Sequence, residues 1–193
     1  MSLRDALTGR HKVKGPAPDR LFALSTAYVA LETEHQVTAC GVAGIVFQPL
    51  ATSDFESIVS DMEAVVKATA SDLGASIETH DDSFGYRWMV IRDPSLEDLV
   101  VAVNGVSSAL VGGGYGERVL CAVFAFQGPR DPKIYFIYNY KRGSWYPFVP
   151  TAGGASAGQR SVERELQIKA QVGRELPVEP ELERWFPLWG IPF

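Results

Sequence analysis

Histidine is scarce in this chain, with three in 193 residues, at positions 11, 35 and 80. No histidine follows residue 80, so a nucleophile-first triad that ends in histidine has no base. The chain has only two cysteines, Cys40 and Cys121, and no paired-cysteine motif, which excludes a thiolate zinc site and a disulfide framework. Each lies in an apolar, strand-like run and reads as a free, buried thiol, with a disulfide between the two as the other reading. There is no run of about 18 apolar residues, so no helix is expected to span a membrane. The opening SLRDALTGRHKVKG lacks the apolar stretch of a secretory signal, and position 2 is Ser where myristoylation needs Gly. A cytoplasmic protein is expected. Basic residues are also few: 18 Lys and Arg stand against 23 Asp and Glu, for a net charge of −5. Nucleic acid is therefore not an expected partner, because phosphate contacts need clustered Lys and Arg.

What the chain does have is enough apolar content, 46% against 21% charged residues, to build one folded domain. Its densest aromatic run is KIYFIYNYKRGSWYPFV, from Lys133 to Val149. There Ile134, Phe136 and Tyr138 alternate with Tyr135, Ile137 and Asn139, which places the two sets on opposite faces of a strand. Lys141-Arg142-Gly143-Ser144 is a hairpin turn, and Trp145, Tyr146 and Phe148 begin the next strand.

Residues 1–18 read as a flexible N-terminal segment and linker, with two turns of amphipathic helix (Leu3, Ala6, Leu7) and a basic stretch that could touch a membrane surface. Residues 19–175 form the domain. Asp19 to Glu34 is either one helix or a helix followed by a strand, and Thr38 to Gln48 is a strand. Ser53 and Glu56 have capping-box spacing and open a helix that Gly74 would stop. Ile77 and Thr79 lie on a short strand, Asp81-Asp82-Ser83 turns, and Tyr86 to Arg92 returns. Pro94-Ser95 starts a helix closed by Gly112-Gly113-Gly114. Val119 to Phe126 is an apolar strand that leads to the central meander. Ser161 to Val172 reads as a surface or edge helix. Short strand-to-strand links require antiparallel pairing, so the fold class is α+β: an antiparallel sheet with helices packed on one face. Residues 176–193 form a proline- and aromatic-rich tail. It docks on its own sheet, or else it contacts a partner or a second copy of the chain as a homodimer. Docking within the chain is the expectation, since prolines pre-extend the segment.

Three motifs invite chemistry and lose to plainer readings. Gly154-Ala155-Ser156-Ala157-Gly158 spells G-x-S-x-G, but it lies among loose small residues and lacks a later histidine. Gly112-Gly113-Gly114-Tyr115-Gly116 sits between a helix and a strand, the reverse of a phosphate loop. His80-Asp81-Asp82 falls in a turn without further converging ligands, so no metal is expected. The binding candidates are Tyr86, Arg87, Trp88, Tyr138, Tyr140, Lys141 and Arg142, aromatics beside cations that could line a cleft for a small ligand or peptide, together with Trp185 and Trp189 of the tail. A hydrolase with an unrecognised site stands behind both binding readings.

SLRDALTGR and DRLFALSTAYVALE at the start resemble the PspA-associated protein PspAB family. So do DSFGYRWMVIRDP (Asp82 to Pro94), VLCAVFAF, IYNYKRGSWYPF (Ile137 to Phe148) and ELPVEPELERWFPLWGIPF (Glu175 to Phe193). The resemblance implies an accessory of PspA, the phage-shock protein of the bacterial inner membrane surface, in actinobacteria and some archaea. It implies PspA or another envelope-stress protein as partner, recruitment to the inner face of the membrane, and no catalytic residues or cofactor. The order of elements also resembles the type III secretion chaperone-like fold, whose members dimerise and bind peptides.

Overall fold

The structure, a computed structural model, describes residues 18–70, 75–151 and 158–193. These form α1 (Pro18–His35), β1 (Thr38–Phe47), α2 (Ser53–Ala70), β2 (Ser76–Asp81), β3 (Arg87–Arg92), α3 (Leu96–Gly112), β4 (Val119–Gln127), β5 (Ile134–Asn139), β6 (Ser144–Phe148) and α4 (Val162–Val172). The stretch 19–34, ambiguous by sequence, is one helix. The chain leaves it through Gln36 at φ 55, and the Val37 N–H then donates to the Leu31 carbonyl. The strands make one antiparallel sheet in the order β2-β3-β1-β4-β5-β6. The protein is therefore α+β.

The period of two along each strand divides the sheet's side chains into two sets. Ala43, Ile45, Phe47, Phe124, Phe136 and Tyr138 face the helices and join one core with Leu24, Phe55, Val103 and Ile168. Fully burying an apolar side chain of this size contributes about 1.5–3 kcal/mol, so this layer carries most of the stability. Val46, Trp88, Val123, Tyr135, Tyr146 and Phe148 face the other way and join a second cluster. Among the described residues no α-helix packs on that second face. Residues 185–193 lie there instead, with Trp185 buried and Leu188, Trp189, Ile191 and Phe193 half-buried against the strands.

The edge at β6 is closed by three devices. Trp145 exchanges backbone bonds with Pro177 and Glu179, Pro147 has no N–H to offer, and the Val149 N–H donates to the Glu165 carboxylate at 2.8 Å. The α4 helix is consequently no loose surface element: Glu165, Ile168 and Val172 are all buried, because its inner face caps this edge. Ser161 caps it, accepting from the Arg164 N–H.

The capping box expected at Ser53 does not form. The Glu56 N–H donates to the Thr52 carbonyl, and its carboxylate turns instead to Arg87 at 3.1 Å. Cys121 is buried, but Cys40 is exposed, and both are free thiols. Cys40 falls where the β1–β4 register shifts between Ala39 and Ala43, and this bulge turns it out of the core. Gly74, the G-x-S-x-G serine and the basic N-terminal segment lie outside the described residues.

Candidate functional site

One transverse row of the sheet runs His80, Trp88, Val46, Cys121, Asn139, Ser144, each paired in register with the next. All six share the face that carries the tail. The tail covers this row incompletely, and the uncovered part is a groove in two connected halves.

The first half is a cleft of ≈ 410 Å³ with Val46, Cys121, Asn139 and Tyr146 as its floor, Phe84, Tyr86 and Trp88 on one wall and Phe186 to Trp189 on the other. Asp82 holds the first wall. Its Oδ1 accepts from the backbone N–H groups of Phe84 (2.8 Å) and Tyr86 (2.9 Å), and its Oδ2 accepts from the Trp88 indole (3.1 Å). Gly85, at φ +82, completes the turn in a conformation other residues rarely adopt. One carboxylate thus fixes three aromatic residues, and Phe84 stands 74% exposed at the tip.

The second half is wider, ≈ 970 Å³, and is lined by Arg20, Lys141, Arg142, Ser144, Glu179, Arg184 and Phe186. Its carboxylate is already committed: Glu179 accepts from the Ser144 hydroxyl at 3.0 Å and pairs with Arg184 at 3.6 Å. Arg184 also meets Glu181 at 2.8 Å, and Arg20 donates to the Gly143 carbonyl at 3.0 Å. Lys141 and Arg142 are exposed, and their side chains have no hydrogen-bond or ion-pair partner among the described residues. Asn139 and Phe186 border both halves. The Asn139 Oδ1 is buried and unpartnered among the described residues.

The tail is tied down beside the groove. Tyr146 donates to the Phe186 carbonyl (3.1 Å) and Tyr135 to the Phe193 carbonyl (2.8 Å). Arg160 donates to the Trp185 carbonyl while pairing with buried Glu165 at 2.6 Å. Trp189 meets the Phe148 ring edge-on at 5.1 Å, and a smaller cleft of ≈ 330 Å³ opens beyond it, next to Lys133 and Tyr135. Burial pushes the Cys121 thiol up to about 12 and raises Tyr146 well above an ordinary tyrosine, so neither is poised as a nucleophile or base near neutral pH.

The structure divides the sequence candidates. Tyr86, Trp88 and Trp189 meet in the aromatic half, and Lys141 and Arg142 border the cationic half. Tyr138 and Tyr140 do not take part: they are buried on the helix side, ring to ring at 5.0 Å, because the alternation that brings Trp88 to one face sends Tyr138 to the other. The single cleft of Tyr86, Trp88, Tyr138, Tyr140 and Arg142 is therefore not assembled. Arg87 also faces the helices, held by Asp81 at 2.7 Å and Glu56. Its guanidinium, hydrogen-bonded to Asp81, lowers that carboxyl's pKa. Trp185 is a buried anchor, stacked on Tyr146 at 6.3 Å. His80, Asp81 and Asp82 are each spent on the hairpin, and among the described residues no three His, Cys, Asp or Glu are grouped to hold a metal. Sequence reasoning missed Phe84, Phe186, Asn139, Arg20 and Arg184. Two of them left a signal: Phe84 is an aromatic at the tip of a D-S-F-G turn, and Phe186 lies in the aromatic tail.

The fold and groove define a class: an α+β protein whose antiparallel sheet carries helices on one face and its own tail on the other, with an aromatic and cationic groove between. The family model for PspA associated protein B matches residues 1–193, the whole chain. The protein belongs to that family. No curated protein and no solved structure matches it, and the likeness to the type III secretion chaperone-like fold is not confirmed.

Proposed function

We propose that the protein is a non-enzymatic adaptor of the PspA membrane-stress response, and that it binds PspA through the groove between the β2–β3 turn and the tail. The family supports PspA as partner. The observation that carries the site is the exposure of Phe84 (74%), Phe186 (59%) and Tyr86 (37%) around one cleft, on backbone that Asp82 and Tyr146 hold in place. Exposed aromatics on rigid supports lose little entropy on docking and are enriched among the residues that dominate interface energy. The non-enzymatic reading is supported by the two carboxylates that line the groove, which are spent on structure: Glu179 on Ser144 and Arg184, and Asp82 on the turn. Recruitment to the inner membrane face is part of this reading and follows from binding PspA; among the described residues no helix is long and apolar enough to cross a membrane.

The test is isothermal titration of the purified chain with purified PspA. The wild type is expected to bind. Phe84→Ser with Phe186→Ser is expected to weaken binding by about tenfold or more while leaving the circular dichroism and Tm unchanged. Absence of binding, or binding unaffected by the double substitution, contradicts the proposal.

A further inference from the structure

The two halves of the groove differ in chemistry, and their order along the sheet specifies what fits. The aromatic end is lined by Phe84, Tyr86 and Trp189, and the other end presents Lys141 and Arg142. The remaining charges of the cationic end largely cancel, because Arg184 is engaged by Glu179 and Glu181. Two cations without a partner among the described residues thus face solvent on a chain whose net charge is −5. Between the ends lies the apolar floor of Val46, Cys121 and Tyr146, with Phe186 beside it. Rings pack on aromatic walls in preferred edge-on and offset geometries, so the aromatic end favours an aromatic side chain. Inorganic phosphate has charge for one end and no apolar surface for the other.

We propose that the groove selects an extended acidic aromatic peptide segment, with an apolar ring seated between Phe84 and Trp189 and carboxylates against Lys141 and Arg142. The inference rests on the reading of the groove as the PspA docking surface and specifies the chemistry of the segment that docks. Spacing follows from the sheet. From Trp88 to Ser144 are four strand-to-strand steps, about 19 Å at the usual separation of neighbouring strands. Extended chain covers that in about six residues. The ring and the acidic cluster of the ligand are therefore about four to six residues apart.

The probe is a fluorescein-labelled peptide with one Trp, a four-residue Gly-Ser spacer and three Glu, titrated with the full chain by anisotropy. Its counterpart carries three Lys in place of the Glu. The Glu peptide is expected to bind and to weaken as salt rises, and the Lys peptide to bind at least about tenfold more weakly. Lys141→Glu with Arg142→Glu is expected to invert that preference, and Phe84→Ser to weaken both peptides. No binding of the Glu peptide at millimolar protein overturns the proposal, as does equal affinity for the two peptides, which would leave an apolar surface only. Binding of inorganic phosphate or phosphatidylglycerol vesicles with the Glu peptide inert also overturns it and makes this a phosphate site. PspA titration separates the two readings: PspA that binds Lys141→Glu/Arg142→Glu as well as wild type refutes the acidic segment and leaves PspA docking in place.

Discussion

Gly44 and Phe193 occupy one another's space: a Cβ at position 44 would lie 2.9 Å from the Phe193 ring. Gly44 sits mid-strand in β1, where glycine is ordinarily a weakness. Here its missing side chain is the notch that lets the tail's last ring lie on the sheet, edge-on to Trp88 at 6.3 Å and to Tyr135 at 6.2 Å.

That fit gives the first prediction. Gly44→Ala destabilises the protein by about 1–3 kcal/mol through overpacking, although alanine suits a strand better than glycine. In a Phe193→Ala background the same substitution costs at least about 1 kcal/mol less. Urea denaturation of the four proteins in this cycle reads the coupling, and simple additivity contradicts the notch.

Asp82→Ala removes the acceptor shared by Phe84, Tyr86 and Trp88. A loss of about 1–3 kcal/mol is expected, with faster hydrogen exchange confined at first to residues 82–88. A turn that keeps its protection would show that the aromatic wall is held by something other than this carboxylate.

Glu165 is wholly buried and serves Arg160 and the Val149 N–H together. Glu165→Leu leaves a guanidinium and an amide without their partner and costs about 3–5 kcal/mol by urea denaturation. Because Arg160 also donates to the Trp185 carbonyl, tail fluorescence changes in step with unfolding at β6. A change below about 1 kcal/mol contradicts the assignment of this pair as the clamp.

Burial raises Cys121 from an ordinary 9.0 to about 12, and raises Tyr140 and Tyr146 as well. A group whose pKa is raised by folding contributes stability that is intact below its unfolded value. Above that value the unfolded chain releases the proton first, so stability falls as pH climbs from about 9 towards 12. Urea midpoints of wild type and Cys121→Ala converge over this range. A native thiol assay at pH 8 titrates one cysteine, the exposed Cys40, and two after denaturation.

The order of elements was legible because each strand and helix carries its own period, and the meander from Ile134 to Phe148 alternates as its residues demand. The partition of aromatics between faces was not, since it depends on register across four strands rather than on spacing within one. Trp88 and Tyr138 look alike in sequence, yet pairing through Val46 and Ala122 sends them to opposite sides. The exposure of Cys40 depends on a bulge, and the Glu56 carboxylate follows an arginine 31 residues away. The groove itself is made by residues distant in sequence, from Arg20 to Trp189, which only the folded sheet brings together.

The central claim is that the groove between the β2–β3 turn and the tail is the PspA docking surface. Hydrogen–deuterium exchange of the full chain, with and without saturating PspA, tests it most directly. Slowed exchange at residues 82–88, 139–144 and 184–190, with the helical layer unchanged, is the predicted result. Protection confined to the outer faces of α1, α2 and α3, with the groove exchanging as in the free protein, contradicts it.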